Sequence, residues 1–325
     1  MKSNRREFLG QAVAGLGCAL CPTLAAGRGL DPAVIGANPY YPGYDLYRSI
    51  AILHGLGFQT IELHPMGSPD ARPGMPPGFE FDRMTDADKQ RLKDSLQPFR
   101  YVSTHLPWVD TPYFSPFEPS HEFGVRRIET ALEASAFVGA EVANVHVQRS
   151  AHISLEASWP MLVRTFRRWG DQAESLGMRL AIETGYPESV REFVKLIRDV
   201  GHSHVGATID VGHQKNFAEL TAQVKPEDRG TPEGIRAYND VTLQIIDELG
   251  PKIFHMHVHD IEPATWAEHK PLVHGFVDYP RLLAKLQDID YQGLLVFEIG
   301  GPVEELTGFF RDAKAKLERY LEEIA

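Results

Sequence analysis

Short runs of apolar and β-branched residues alternate along the chain with longer segments in which apolar positions recur every three or four residues. The short runs are bounded by Gly, Pro or polar residues and predict eight strands: Val34–Ala37, Gln59–His64, Tyr101–His105, Val142–Val147, Arg179–Glu183, Val205–Asp210, Ile253–Val258 and Leu294–Glu298. The longer segments predict one helix after each strand: Tyr44–Leu56, Asp86–Pro98, His121–Val138, Leu155–Leu176, Ser189–Val200, Pro232–Leu249, Tyr279–Gln287 and Glu304–Ile324.

The order of these elements indicates the fold class. Eight strand–helix units follow one another with no insert large enough for another domain, which favours a closed (β/α)8 barrel over residues 27–325. Several helices end at a glycine that fits a left-handed closing position: Gly57, Gly139, Gly177 and Gly250. An open doubly wound sheet is the alternative, but the first strand is not followed by a Gly-rich dinucleotide fingerprint.

The first residues form a separate segment. The pair Arg5-Arg6 precedes a short apolar run, Ala12–Leu20, and then small residues, as in a twin-arginine export signal. We therefore expect residues 1–26 to be removed and the protein to be periplasmic or otherwise exported. The run is too short and too rich in glycine for stable membrane insertion. Both cysteines, Cys18 and Cys21, lie in this segment, so the barrel itself has no thiolate chemistry.

Composition and charge narrow the class of partner. The 325 residues are 43% hydrophobic and 24% charged, which is typical of a globular protein with a full core. The formal net charge is −11; residues 27–325 keep 30 basic and 43 acidic residues and therefore carry −13. A nucleic acid or an anionic membrane surface is disfavoured as a partner, and a small molecule is favoured.

Nearly every predicted strand ends in a carboxylate or an imidazole. The set is Glu62, His64, His105, His146, Glu183, Asp210, His257, His259 and Glu298. In a barrel the carboxyl ends of the strands meet at the catalytic face, and charged groups there are costly unless they are paired or bind a metal. Oxygen and imidazole donors without a thiolate suit one divalent ion, namely manganese, magnesium, cobalt or zinc. His255, His257 and His259 alternate, so a regular strand would point all three the same way.

The ordered set of strand ends resembles the xylose isomerase-like barrel superfamily, the sugar isomerase/epimerase and endonuclease IV group. The segments that carry the resemblance are Ile61-Glu62-Leu63-His64, Thr104-His105-Leu106-Pro107, Asn144-Val145-His146, Leu180-Ala181-Ile182-Glu183-Thr184, Ile209-Asp210-Val211-Gly212-His213, His255-Met256-His257-Val258-His259-Asp260 and Phe297-Glu298. The resemblance covers residues 33–322. It implies a metal-dependent isomerase or epimerase that abstracts a proton next to the carbonyl of a free sugar or keto-sugar.

The resemblance also implies roles for particular residues. The metal ligands would be Glu183, Asp210, His257 and Glu298; the two glutamates would also act as acid and base, and His213 would contact the sugar at the catalytic centre. Further substrate-binding candidates are Glu62, His64, His105, Trp108, His146, His259 and His269. Trp108, Tyr113, Phe114 and Phe117 are expected either to stack on a sugar ring or to pack their loop.

Three other functions stay open. The same proton abstraction could begin an elimination, either dehydration of an inosose or cleavage of a 3-keto-glycoside, with His213 or His259 as acid. The endonuclease IV branch places further zinc ligands at His105, His146, His213 and His269, but Ala267 replaces one expected aspartate. A non-catalytic sugar-binding barrel is the third alternative. The particular sugar, a second metal ion and assembly as a homo-oligomer are left open.

Overall fold

The computed structural model describes residues 30–70, 77–149, 152–273 and 275–324. Eight parallel strands close into a barrel in chain order, with the last strand hydrogen-bonded to the first. They are β1 (Ile35–Ala37), β2 (Thr60–Leu63), β3 (Tyr101–His105), β4 (Val142–His146), β5 (Arg179–Glu183), β6 (Val205–Asp210), β7 (Ile253–Val258) and β8 (Leu294–Phe297). The predicted single-domain (β/α)8 barrel is confirmed.

Helices surround the barrel. They are α1 (Leu46–Gly55), α2 (Asp86–Leu96), α3 (Glu118–Phe137), α4 (Leu155–Ser175), α5 (Val190–Val200), α6 (Ala218–Thr221), α7 (Pro232–Leu249), α8 (Tyr279–Asp288) and α9 (Val303–Ile324). All eight predicted helices are present, and the one-turn α6 is additional. Helix α3 begins at Glu118 rather than His121, because Pro119 fits the first turn, where its missing N–H is not needed. The four glycines expected to close helices all have positive φ.

Helix α5 shows how local sequence fixes an element of the wall. Ser189 caps its first turn, since the Ser189 hydroxyl accepts a hydrogen bond from the Glu192 backbone. Glu219 of α6 accepts further bonds from the backbone N–H of Val190 at 3.0 Å and of Arg191 at 3.2 Å. Apolar residues at helical spacing bury one face against the barrel, and Gly201 ends the helix at φ 58°.

The parallel register brings the polar strand ends side by side. His146 of β4 pairs with Glu183 of β5, and Asp210 of β6 pairs with His257 of β7. Glu298 directly follows β8, and its backbone N–H donates to the Val258 carbonyl at 3.2 Å. Because the barrel is closed, side chains that are more than 100 residues apart in sequence meet at one end of it.

Two expectations concern export and membrane insertion. The export signal predicted for residues 1–26 lies outside the described residues. Within the part of the chain that the structure describes, no helix is both long enough and apolar enough to span a membrane.

Candidate active site

The four side chains expected to bind a metal meet at the carboxyl end of the barrel. Nδ1 of His257 lies 3.1 Å from Oε1 of Glu183, 3.6 Å from Oε2 of Glu298 and 3.7 Å from Oδ2 of Asp210. Donor atoms around a divalent ion at its usual bond length of about 2.0–2.2 Å stand about 3 to 3.5 Å from one another. One imidazole nitrogen therefore faces all three carboxylates, at distances close to those between donor atoms that share an ion.

The hydrogen bonding of Asp210 supports this fit. Its Oδ1 accepts from the Gly212 backbone at 2.7 Å and lies 3.0 Å from Nε2 of His259. Its Oδ2, the oxygen that faces His257, is buried and has no hydrogen-bond partner among the described residues. A buried carboxylate oxygen without a donor is costly unless a cation lies beside it. The donor set of carboxylate oxygens and one imidazole nitrogen fits a divalent ion.

The surrounding imidazoles keep these carboxyls ionised. Burial alone would raise the pKa of Glu183, but His146 and His257 outweigh it and hold the pKa well below its ordinary value. Burial likewise opposes ionisation of Asp210 and Glu298, and nearby imidazoles lower both pKa values. The three carboxyls are therefore charged at neutral pH, which is the state that binds a cation.

Glu62 lies beneath this group rather than in contact with the cavity. Its Oε1 is 3.1 Å from Nε2 of His257, and its Oε2 is 3.3 Å from Nε2 of His255. The Ser103 hydroxyl donates to Oε2 at 3.1 Å, and the Glu62 side chain is fully buried. Glu62 is a substrate-binding candidate by sequence, but in the structure it lies behind His257. There it can hold a proton on Nε2, the ring nitrogen that faces away from the carboxylates.

Three further imidazoles surround Glu183. His146 and His105 place Nε2 at 3.1 Å and 3.4 Å from its Oε2, and His213 places Nδ1 at 3.3 Å from its Oε1. Burial lowers the pKa of His146 to about 4, whereas Asp210 and Glu183 outweigh burial and raise the pKa of His213 to about 9. The His105, His146 and Glu183 donor atoms are close enough together to hold a second ion.

A cavity of about 560 Å³ opens above these groups. It is lined by Asn38, Tyr40, His64, His105, Trp108, Val109, His146, Glu183, His213, His269, Glu298, Ile299 and Gly300. Most candidates from the sequence therefore face it, while Glu62, Asp210, His257 and His259 are fully buried below. Within the described residues no lysine or arginine lines the cavity. This arrangement can hold a small polar molecule against two carboxylates and several imidazoles.

Asn38 and Asn144 are not among the site residues expected from the sequence, although Asn144 lies in a segment that carries the family resemblance. Asn38 donates from Nδ2 to Oε1 of Glu298 at 3.2 Å, and the Asn144 side-chain amide donates to Oε2 of Glu183. The first predicted strand is the one without an ionisable end, and Asn38 directly follows it. A search for amides as well as ionisable groups at strand ends would have found this residue.

The structure also separates the four aromatic residues that follow β3. Trp108 lines the cavity. Tyr113 and Phe114 are buried and pack on each other with ring centroids 4.1 Å apart. Phe117 is 63% exposed and lies outside the cavity lining. Trp108 alone of these four is therefore placed to contact a ligand.

A protein-family model described as a xylose isomerase-like TIM barrel matches residues 50–320. The chain belongs to this family. A curated relative, the uncharacterized protein MJ1311 of Methanocaldococcus jannaschii, is 23% identical over 209 residues, which cover 61% of this chain and 64% of the relative. The match thus spans less than two thirds of that relative's length.

Solved structures with the same fold include several named as sugar epimerases. A D-tagatose 3-epimerase-like protein is 17% identical, with coverage of 89% of this chain and 97% of that chain and a TM-score of 0.66. The 3-keto-D-glucoside 4-epimerase YcjR of E. coli is 17% identical, with coverage of 88% of this chain and 98% of that chain and a TM-score of 0.64. An L-ribulose 3-epimerase is 16% identical, with coverage of 89% of this chain and 95% of that chain and a TM-score of 0.66. At these identities the likeness shows a shared fold.

Proposed function

We propose that the protein is a divalent-metal-dependent sugar isomerase or epimerase that moves a proton next to the carbonyl of an unphosphorylated sugar or keto-sugar. The observation that carries the proposal is how the four ligand-type side chains are divided. Glu183 and Glu298 line the cavity, whereas Asp210 and His257 are fully buried beneath it. The two glutamates are therefore the carboxylates that can contact both an ion and a sugar.

The chain's own residues supply proton transfer and orientation. One glutamate would remove the proton from the substrate carbon, and the other would return a proton to that carbon or to its neighbour. Asn38 and Asn144 orient the two carboxylates through their side-chain amides. Glu183, Asp210, His257 and Glu298 would hold a divalent ion, which supplies an electrophile for the carbonyl oxygen. Manganese, magnesium, cobalt and zinc all suit this donor set.

The charge of the cavity supports an unphosphorylated substrate. Lys215 lies near the site, but its ammonium pairs with Glu268 at 2.9 Å. Arg149 is not among the residues that line the cavity. A phosphate group would therefore meet no described cationic side chain of the Lys or Arg type, and the charge of −13 on residues 27–325 disfavours a nucleic-acid substrate.

Export belongs to the same proposal. The paired arginines near the N-terminus predict the twin-arginine pathway and hence a periplasmic or otherwise exported enzyme. Fusion of residues 1–40 to a reporter that is active only after export, with Arg5→Lys and Arg6→Lys together as the control, tests this part. Reporter activity that does not depend on the arginines would contradict it.

Metal content and proton exchange test the chemistry. Protein purified without chelator should contain about one equivalent of a divalent ion by elemental analysis, and Glu183→Gln and His257→Ala should both reduce it. Solvent deuterium should enter at least one of D-fructose, D-tagatose, L-ribulose or 3-keto-glucose, with a loss of about a thousandfold in Glu298→Gln. Glu219→Gln, which lies on a helix outside the cavity, is the matched control. Failure to exchange deuterium into any ketose or aldose would reject the proposal.

Elimination is a second candidate, because it begins with the same proton removal. The observation that favours it is His213, which lines the cavity beside Glu183 and could protonate a leaving group. Incubation with 3-keto-glycosides separates the two reactions. Release of the aglycone would support a lyase, while formation of epimers alone would reject it.

A further inference from the structure

The cavity changes in character between its floor and its mouth. The buried imidazoles and carboxylates of the lining form the floor, whereas Tyr40, Trp108 and Val109 are exposed and, together with the imidazole of His269, form the mouth. Cavities of about 300–1,000 Å³ enclose most of a drug-sized ligand, which is much larger than one sugar ring. A single sugar whose carbonyl reaches Glu183 and Glu298 would therefore leave much of this 560 Å³ cavity unfilled.

Trp108 packs against histidines of the floor. Its ring centroid is 4.5 Å from that of His105, in an edge-on contact, and 5.5 Å from that of His64. Its backbone carbonyl accepts a hydrogen bond from the Gln148 side chain. The side chain is nevertheless 37% exposed. The indole is thus held against three histidines of the lining, including His146 at 6.3 Å between ring centroids, and keeps part of its surface exposed.

The other residues of the mouth are also unusually apolar for exposed positions. Val109 is 56% exposed and Tyr40 is 39% exposed. Tyr40 comes from the segment after β1, while Trp108 and Val109 follow β3. Single exposed apolar residues are ordinary, but these belong to one cavity that continues into the polar floor.

We propose that this mouth is a subsite for the aromatic aglycone of a keto-glycoside whose sugar ring occupies the floor. The inference rests on the proposed function and names its substrate class, namely keto-glycosides rather than free monosaccharides. An aromatic aglycone would pack on the exposed part of the Trp108 indole and cover Val109 and Tyr40. Burial of these side chains supplies the affinity, and the polar floor fixes the orientation.

Calorimetric titration of the purified, metal-loaded protein tests the subsite without turnover. The probes are phenyl and methyl glycosides of D-glucose, D-galactose and D-mannose in both anomeric forms, which carry no carbonyl and therefore act as unreactive analogues of the keto-glycosides. For at least one sugar the phenyl glycoside should bind about five- to tenfold more tightly than the methyl glycoside. Trp108→Ala should abolish this difference, because it should weaken binding of the phenyl glycoside more than binding of the methyl glycoside. Phe123→Ala, which removes a 50%-exposed aromatic of α3 outside the cavity, should keep it.

Val109→Asp is a second variant, at an exposed position where the fold tolerates the change. It should also reduce binding of the phenyl glycoside. Equal binding of phenyl and methyl glycosides, binding of neither, or a preference that survives Trp108→Ala would overturn the inference. Deuterium exchange into ketoses without a preference for the phenyl glycoside would reject the subsite and support the proposed function. A preference for the phenyl glycoside without any exchange or elimination would support the subsite and reject the proposed function.

Discussion

Replacement of Glu62 by Gln tests whether a buried carboxylate sets the state of His257. Glu62 Oε1 is 3.1 Å from Nε2 of His257, while Nδ1 of the same ring faces Glu183, Asp210 and Glu298. When a metal binds, a proton held on Nε2 leaves the lone pair of Nδ1 available to the metal. We therefore expect Glu62 to be a positioning residue for the metal site although it does not line the cavity.

The size of the effect follows from these contacts. A hydrogen bond to a charged group contributes about 1.5–3 kcal/mol, and a neutral bond about 0.5–1.5 kcal/mol. If the amide introduced by Glu62→Gln turns its oxygen toward His257, the hydrogen bond would weaken by about 1–1.5 kcal/mol, which corresponds to about five- to tenfold in metal affinity. An amide nitrogen facing it would donate to Nε2 and favour the wrong tautomer, and such outer partners are typically worth up to about a hundredfold. We expect a loss of metal affinity between about five- and a hundredfold.

The assay is titration of chelator-stripped protein with Mn²⁺ by calorimetry, paired with thermal unfolding in the absence of metal. Glu219→Gln is the control, since Glu219 also accepts several hydrogen bonds but belongs to α6 and not to the site. It should change thermal stability without changing Mn²⁺ affinity. A Glu62→Gln protein that is folded and binds Mn²⁺ within twofold of the wild type would refute the reasoning. A drop in metal-free stability alone would show that Glu62 only supports His255 and Ser103.

Three other outcomes follow from the structure. Glu219→Gln should lose about 1 kcal/mol of stability in urea unfolding at pH 7. Burial opposes ionisation of Glu219, but its hydrogen bonds from the backbone outweigh burial and lower its pKa below 4.5. The wild-type protein should therefore be more stable than the variant above pH 4.5, and the difference in stability should vanish as the pH falls through the pKa of the folded state. Trp169→Ala should cost about 3–5 kcal/mol in the same assay, because the fully buried indole packs on Tyr113 and Phe166; a loss below about 1 kcal/mol would contradict this packing. Removal of metal by chelator should lower the melting temperature, and Mn²⁺ at about a hundred times its Kd should restore about 2.7 kcal/mol; an unchanged melting temperature would argue against the site.

The barrel could be predicted from sequence because its signals are local. The bounds of β3, β5, β6 and β7 agree with prediction to the residue. Buried parallel strands are short apolar runs, and glycine or proline marks where they and the helices stop. The polar ends of successive strands also show that ionisable groups gather at one end, since every parallel strand points the same way.

Only the closed barrel decides which polar side chains line the cavity and which lie beneath it. Glu62 and His64 are two residues apart, yet Glu62 is beneath His257 and His64 lines the cavity. Residues two apart on a strand share a face and differ in height by about 6.6 Å, but which of the two levels meets the cavity depends on strand tilt and register, which sequence spacing within one strand does not contain. For the same reason His259 lies below the cavity, against Asp210, although it appears beside other substrate-binding candidates in the sequence.

The sequence by itself therefore determined the eight strand–helix units and the set of carboxylates and imidazoles that reach their ends. Only the tertiary structure decided that Glu183 and Glu298 face the cavity, that Nδ1 of His257 faces the carboxylates, and that Tyr40 and Trp108 share its mouth. The physical reason is that strand and helix formation depend on neighbours in the chain. Cavity lining and ring orientation depend on contacts between distant strands, which exist only once the barrel has closed.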